Sequence, residues 1–199
     1  MRTQLPRAMP SSFARGILLR LGEAADLQAL CDIDLDAGEL FERAGLELSL
    51  PEDHEYLVAE RTRWRRCLEA GTTVIAMDMR GRAVGFAAID LLDGEPYLEQ
   101  LSVRVSHMRR GIGSALINAA LDAACRDSAA AMWLTTYAHL PWNRPLYEKH
   151  AFSVVPPSRC GAGILRELEQ QRRWLPHPQE RIAMRKQLRR GGLARPAIR

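Results

Sequence analysis

Cysteine is scarce in this chain. The four present, Cys31, Cys67, Cys125 and Cys160, lie far apart and form no Cys-x-x-Cys pair. That spacing argues against a disulfide framework and suits reduced thiols in a cytoplasmic protein. Histidine is scarce too. The five are scattered, none at ligand spacing from a cysteine or a carboxylate, so no metal is expected. No run of about 18 apolar residues occurs, so no membrane span or membrane partner is expected. The opening stretch MRTQLPRAMPSSFARG is basic but lacks the apolar core of a secretory signal. Internal repeats and long low-complexity segments are also missing.

What is present is ordinary for a globular chain: 199 residues, 47% hydrophobic and 26% charged. That length suffices for one real core. The net charge of +4 is unevenly placed. Residues 185–199 hold Arg185, Lys186, Arg189, Arg190, Arg195 and Arg199 and no acidic residue, so the body is slightly acidic. A basic end can touch nucleic acid or anionic lipid, but a solvated, disordered tail over 189–199 is the plainer expectation.

Residues 1–14 show no periodicity and are expected to be flexible, leaving one domain over 15–188. GILLRL (16–21) reads as a strand. GEAADLQALCDIDLDAGELFERAG has helical spacing and stops at Gly45. SLPEDHEYLVAERTRWRRCLEAG is a second helix, with proline and acids at its start and Gly71 at its end. TTVIAMDM and AVGFAAIDLL, joined by RGR, read as a hairpin, and PYLEQLSVRV as a third strand. A helix over 111–126, the strand AMWLTTY and a short helix in PWNRPLYEKHAF follow. SVVPP and ERIAMRKQL are strands on either side of a helix over 162–174. This order predicts an α/β fold with a single mixed, mostly antiparallel sheet flanked by helices, not a series of βα repeats.

HMRRGIGSALINAALDAA (107–124) places glycines and arginines just before an alanine-rich helix. A helix start carries about half a positive charge and four unpaired N–H groups. Gly111 and Gly113 would open those donors to a bulky anion, and Arg109 and Arg110 add charge. The stretch therefore suits a phosphate or pyrophosphate. It is not a P-loop, because Ser114 follows Gly113 with no lysine between. Nor is it a Rossmann loop, because Leu116 stands where a third glycine belongs.

LEQLSVRVSHMRRGIGSALINAALDAA resembles the acyl-CoA-binding motif of the GNAT superfamily of N-acetyltransferases, and WLTTYAHLPWNRPLYEKHAF resembles that family's next strand and short helix. The likeness runs from about residue 16 to 188. Three positions depart from the pattern: Met108 opens the loop motif in place of Gln or Arg, Val105 replaces a frequent proline, and Ala151 replaces the glycine before Phe152.

The resemblance implies an acyl-CoA N-acyltransferase fold. It implies an enzyme that moves an acetyl group from acetyl-CoA to a primary amine by direct attack in a ternary complex, without a metal. Pantetheine would lie along Leu101, Ser102 and Val103, and the pyrophosphate along Met108, Arg109, Arg110, Gly111, Ile112, Gly113 and Ser114. Tyr147 would protonate the leaving thiolate, a role for which a phenol with a pKa near 10 is suited. Asn143, one turn earlier, is a candidate for the cofactor's amide arm.

Glu99 is the candidate base, since strand alternation would put Tyr97, Glu99 and Leu101 on one face. His139 is the other. Residues 32–55 contain nine carboxylates against Arg43 alone, which suggests a cationic small-molecule or peptide amine. Tyr56, Trp64, Trp142 and Trp174 are candidates to line an apolar part of its site. A homodimer would be common for the family. Two alternatives stay open: a non-catalytic acyl-CoA-binding regulatory module, or an acetyltransferase directed to aminoacyl-tRNA or protein through the basic tail.

Overall fold

The computed structural model describes residues 13–14, 16–47 and 50–188. The basic tail over 189–199 and residues 1–12 of the stretch expected to be flexible lie outside them. Strand β1 (Phe13–Ala14) pairs with β2 (Ile17–Leu21), so regular pairing begins two residues inside the stretch expected to fray.

Helix α1 (Leu27–Arg43) follows a short 3₁₀ turn in which Asp26 accepts the Glu23 N–H at 2.8 Å. The same Asp26 carboxylate pairs with Arg20 at 2.6 Å, and that guanidinium holds its pKa below the usual carboxylate range. Helix α2 (Glu55–Ala70) starts later than its proline and acids predict. His54 is its cap, accepting the Tyr56 N–H at 3.2 Å through Nδ1, and Gly71 ends it at φ 70. Only a residue that tolerates the left-handed region closes a helix this way without cost.

The remaining elements are β3 (Thr73–Met77), β4 (Ala83–Leu92), β5 (Glu95–Val103), α3 (Ile112–Arg126), β6 (Ala131–Tyr137), α4 (Arg144–Lys149), β7 (Ser153–Val155), α5 (Ala162–Trp174) and β8 (Arg181–Gln187). They make one eight-stranded sheet in the order β1-β2-β3-β4-β5-β6-β8-β7. Every neighbouring pair is antiparallel except β5 and β6.

Helices cover both faces. On one, α3 buries Ile112, Leu116, Ala119 and Ala120 against Val84, Ala87, Leu98, Val103, Leu134 and Met184. Its alanines let the helix lie close to the strands. Gly85 beneath it has no room for a side chain: a Cβ there would sit 3.0 Å from the Ser102 carbonyl and 3.2 Å from Leu116. On the other face, α1 and α2 bury Leu30, Ile33, Trp64 and Leu68 over Ile75 and Phe86. There α5 also packs Ile164 and Leu168 on Tyr97 and Trp133. Each large apolar side chain so buried contributes roughly 1.5–3 kcal/mol.

Two irregularities interrupt β5. First, Ala88 pairs with Gln100 while its neighbour Ile89 pairs with Leu98, so Glu99 is an extra residue: a β-bulge. Second, β5 is hydrogen-bonded in register with its parallel neighbour β6 at a single pair, Tyr97 with Trp133, and beyond it the pairing ends.

A candidate active site where two parallel strands separate

The far half of β5 has one satisfied edge and one open edge. The Arg104 N–H donates to the Val84 carbonyl at 2.8 Å. In an antiparallel ladder alternate residues turn their backbone groups to the same neighbour. Residues 104, 102 and 100 therefore face β4, and Leu101 and Val103 direct their N–H and C=O groups into the gap beside β6. Ser102 does not. Its hydroxyl also points elsewhere, donating to Asp34 of α1 at 2.6 Å. Of the three strand residues expected to hold a pantetheine chain, the structure offers two.

The gap leads to the start of α3. Arg109 has φ 60 and Gly111 has φ 83. A non-glycine residue in the left-handed region is uncommon and marks a constrained loop. The first helical bond at this end is Ala115 N–H to Gly111 C=O at 3.0 Å, so the N–H groups of Ile112, Gly113 and Ser114 have no partner inside the helix. Ile112 is buried and anchors the turn, Met108 packs against the same core, and Arg109 and Arg110 are exposed beside it. A Cβ on Gly113 would meet only Leu146, at an ordinary 3.7 Å. Packing within the protein thus gives no reason for glycine there. Space outside the helix does.

That same Leu146 contact sets α4 beside the first turn of α3. Tyr147 follows, edge-on to Phe152 with ring centroids 6.1 Å apart. Its hydroxyl has no hydrogen bond among the described residues, and burial pushes the phenol up to about 12. Asn143 caps α4 through its backbone carbonyl, accepting the Leu146 N–H at 3.0 Å, and its side chain makes no capping bond.

Glu99 lies on the opposite face of the sheet from Leu101. Alternation fails here because the bulge puts Glu99 and Gln100 in succession on the α1–α2 side. The Glu99 side chain is only 3% exposed and is ion-paired with Arg63 of α2. Burial outweighs that guanidinium and raises its pKa to about 7. His139 is engaged elsewhere: it stands 3.5 Å from Glu180 and stacks on His177.

The acidic segment divides. Asp34 accepts from Ser102 and Gln100, and Asp36 accepts the Val105 N–H at 2.6 Å and lies 3.7 Å from Arg104. These two carboxylates fasten α1 to the end of β5, so they do not serve as a free field for a cation. The aromatic expectations also change. Trp64 is core, edge-on to Phe86. Trp142 packs on Phe41 near Tyr137, and Trp174 meets His54 across α2 and α5.

A groove of about 510 Å³ runs outside α2 and α5, lined by Glu55, Ala59, Arg166, Glu169, Gln170 and Trp174 among others. None of the β5 edge or the α3 loop reaches it. No group of three or more His, Cys, Asp or Glu that could hold a metal occurs among the described residues, and no described helix is long and apolar enough to cross a membrane.

Sequence reasoning missed Arg63, Glu60 and Glu167. For Glu60 and Arg63 the one visible signal is their line with Tyr56, at i, i+4 and i+7 of α2, on the side that turns inward.

Comparison with known proteins agrees with this geometry. Residues 35–152 match the family model described as the acetyltransferase (GNAT) family. The fold is similar to a GNAT-family acetyltransferase of Staphylococcus aureus Mu50, with TM-score 0.65, 12% identity, and coverage of 87% of this chain and 99% of that one. It is also similar to the ribosomal-protein-S18-alanine N-acetyltransferase of Escherichia coli (TM-score 0.59, 17% identity, 90% of this chain and 98% of that one). A third likeness is to N-acetylglutamate synthase of Neisseria gonorrhoeae complexed with coenzyme A and N-acetyl-glutamate. There the TM-score is 0.62 at 14% identity, and the match covers 90% of this chain but only 37% of that one.

Proposed function

The chain belongs to the GNAT acetyltransferase family, and on that premise we propose that it transfers an acetyl group from acetyl-CoA to an amine by direct attack in a ternary complex. One observation carries the reading: the strands separate beside an unpaired β5 edge, next to the glycine-opened start of α3. An extended pantetheine would take the place of the missing strand at Leu101 and Val103. Its pyrophosphate would meet the N–H groups of Ile112, Gly113 and Ser114, flanked by Met108, Arg109, Arg110 and Gly111. Asn143 would face the amide arm. The residues fit such a ligand, because the donors are unpaired and a side chain is absent where the anion would approach.

The bound thioester supplies an activated acetyl group. The protein supplies the rest. A backbone N–H in the gap polarises the carbonyl. Glu99, with a pKa near neutrality, accepts the proton that the amine loses as its nitrogen bonds the carbonyl carbon. As the C–S bond breaks, Tyr147 gives its proton to the thiolate from the opposite face. No nucleophilic side chain is used. The four cysteines are all free thiols, which supports placing the protein in the cytoplasm.

The test has two arms: calorimetry with acetyl-CoA, and thiol release across a panel of small amines and peptides. Micromolar binding with turnover of at least one amine is expected. Binding without turnover of any amine would make the chain a non-catalytic acyl-CoA-binding module. No binding would overturn the reading.

A further inference from the structure

Beneath α2 and α5, on the face that Glu99 occupies, charges are collected that acetyl transfer does not require. The inward side of α2 contributes Tyr56, Glu60 and Arg63, and α5 contributes Glu167 and Gln171. Arg181 enters from β8. Arg63 is committed to Glu99. Arg181 donates through Nε and Nη2 to the Gln171 carbonyl oxygen, reaches Thr135 at 3.4 Å, and lies 4.5 Å over the Tyr137 ring. Glu167, 8% exposed, accepts only a neutral amide N–H, from Gln171 at 2.7 Å. Glu60 has neither a hydrogen bond nor an ion pair among the described residues. Neither carboxylate has an ion pair among the described residues, and Glu60, Glu99 and Glu167 together outnumber the cell's two cations, Arg63 and Arg181, by one.

A carboxylate held away from water without an ion pair is costly: it either keeps a proton, and burial does raise Glu60 well above the usual carboxylate range, or is balanced by a cation from outside. Tyr56 points to what that is. It is 5% exposed and sits among Glu60, Glu167, Arg63 and Arg181. Its hydroxyl makes no hydrogen bond among the described residues. Unlike the Trp64 indole N–H, it is not sealed from solvent. A hydroxyl at the open end of an otherwise buried ring, with no protein partner, has a donor and an acceptor left for a ligand or water.

We propose that the cell of Tyr56, Glu60 and Glu167 is the far end of the acceptor site, and that the acceptor is a small dication, an α,ω-diamine or polyamine without a carboxylate, one amine of which is delivered to Glu99. One ammonium occupies the cell, bridging Glu60 and Glu167 with the Tyr56 oxygen as a third acceptor. The other amine reaches Glu99, which shares the Arg63 side of the cell. A carboxylate on the acceptor would meet a cell whose three carboxylates outnumber its two guanidiniums.

The inference rests on the acetyl-transfer reading, and the experiment separates the two. Thiol release with acetyl-CoA is measured for 1,4-diaminobutane, butylamine and ornithine, which share one carbon chain, and for a short peptide amine. Acetyl-CoA affinity is measured by calorimetry in parallel. The expected result is kcat/KM for the diamine roughly 10-fold or more above both small competitors, the size of one charge-assisted hydrogen-bonded contact. In a folded Glu60→Gln variant that selectivity should fall towards one, with acetyl-CoA affinity held. Tyr56→Phe should lower it in the same direction. Equal or better use of butylamine, ornithine or the peptide overturns the dication and leaves the acetyl-transfer reading standing. So does a Glu60→Gln variant that keeps full selectivity. Loss of acetyl-CoA binding in the wild type overturns both.

Discussion

Replacing Glu99 by Gln keeps size and hydrogen-bonding shape and removes the proton acceptor. If Glu99 is the base, kcat/KM at pH 8 should fall roughly 10²- to 10⁴-fold. The pH dependence is more discriminating than the loss. The pKa of about 7 belongs to the free protein, which is the species that kcat/KM reports. Burial raised it, so the carboxyl is mostly protonated and idle at pH 6 and mostly ionised and active at pH 8. Roughly one-tenth of the molecules are competent at the lower pH and nine-tenths at the higher.

The acceptor's own ionisation also raises rates with pH, but it acts equally on both proteins and cancels in their ratio. Wild type over Glu99→Gln should therefore climb about 10-fold from pH 6 to pH 8 and then level. Arg63 loses its ion-pair partner in the variant, so unfolding curves and acetyl-CoA affinity must be shown to hold. A ratio that stays flat over this range, in a folded variant, would refute the assignment of Glu99.

Tyr147→Phe should lower kcat roughly 10²- to 10⁴-fold with little change in acetyl-CoA affinity, and less for donors with a more acidic thiol. Full kcat with chemistry rate-limiting would make Tyr147 a packing residue. Gly113→Val should abolish acetyl-CoA binding in a protein that keeps its far-UV circular dichroism, because the nearest internal neighbour of a Cβ is Leu146 at 3.7 Å; wild-type affinity by calorimetry would show that no phosphate passes there. Asp93 accepts the Gly163 N–H at 2.8 Å with both oxygens and caps α5. Asp93→Ala should cost about 1 kcal/mol in urea unfolding, and an unchanged midpoint would deny the cap its role.

Local features of this chain were legible along its length. Gly71 and Gly111 demand left-handed backbone, the hairpin residues demand turns, and the periodicity of 112–124 buries one side of α3. All of these come from the chemistry of residues a few places apart, which sequence order preserves. The phosphate-like loop and Tyr147 belong to that class, since both sit in contiguous motifs.

The bulge at Glu99 does not, because an extra residue in a strand exists only relative to the partner it fails to match. It moved Glu99 off the face of Leu101. Pairing across the chain likewise turned Asp34 and Asp36 from a supposed substrate field into the pins between α1 and β5. The meeting of Glu60, Arg63, Glu99, Glu167 and Arg181 has no spacing to read either. Helices α2 and α5 had to dock on strands β5 and β8 first, and only docking removes the water that makes an unpaired carboxylate matter.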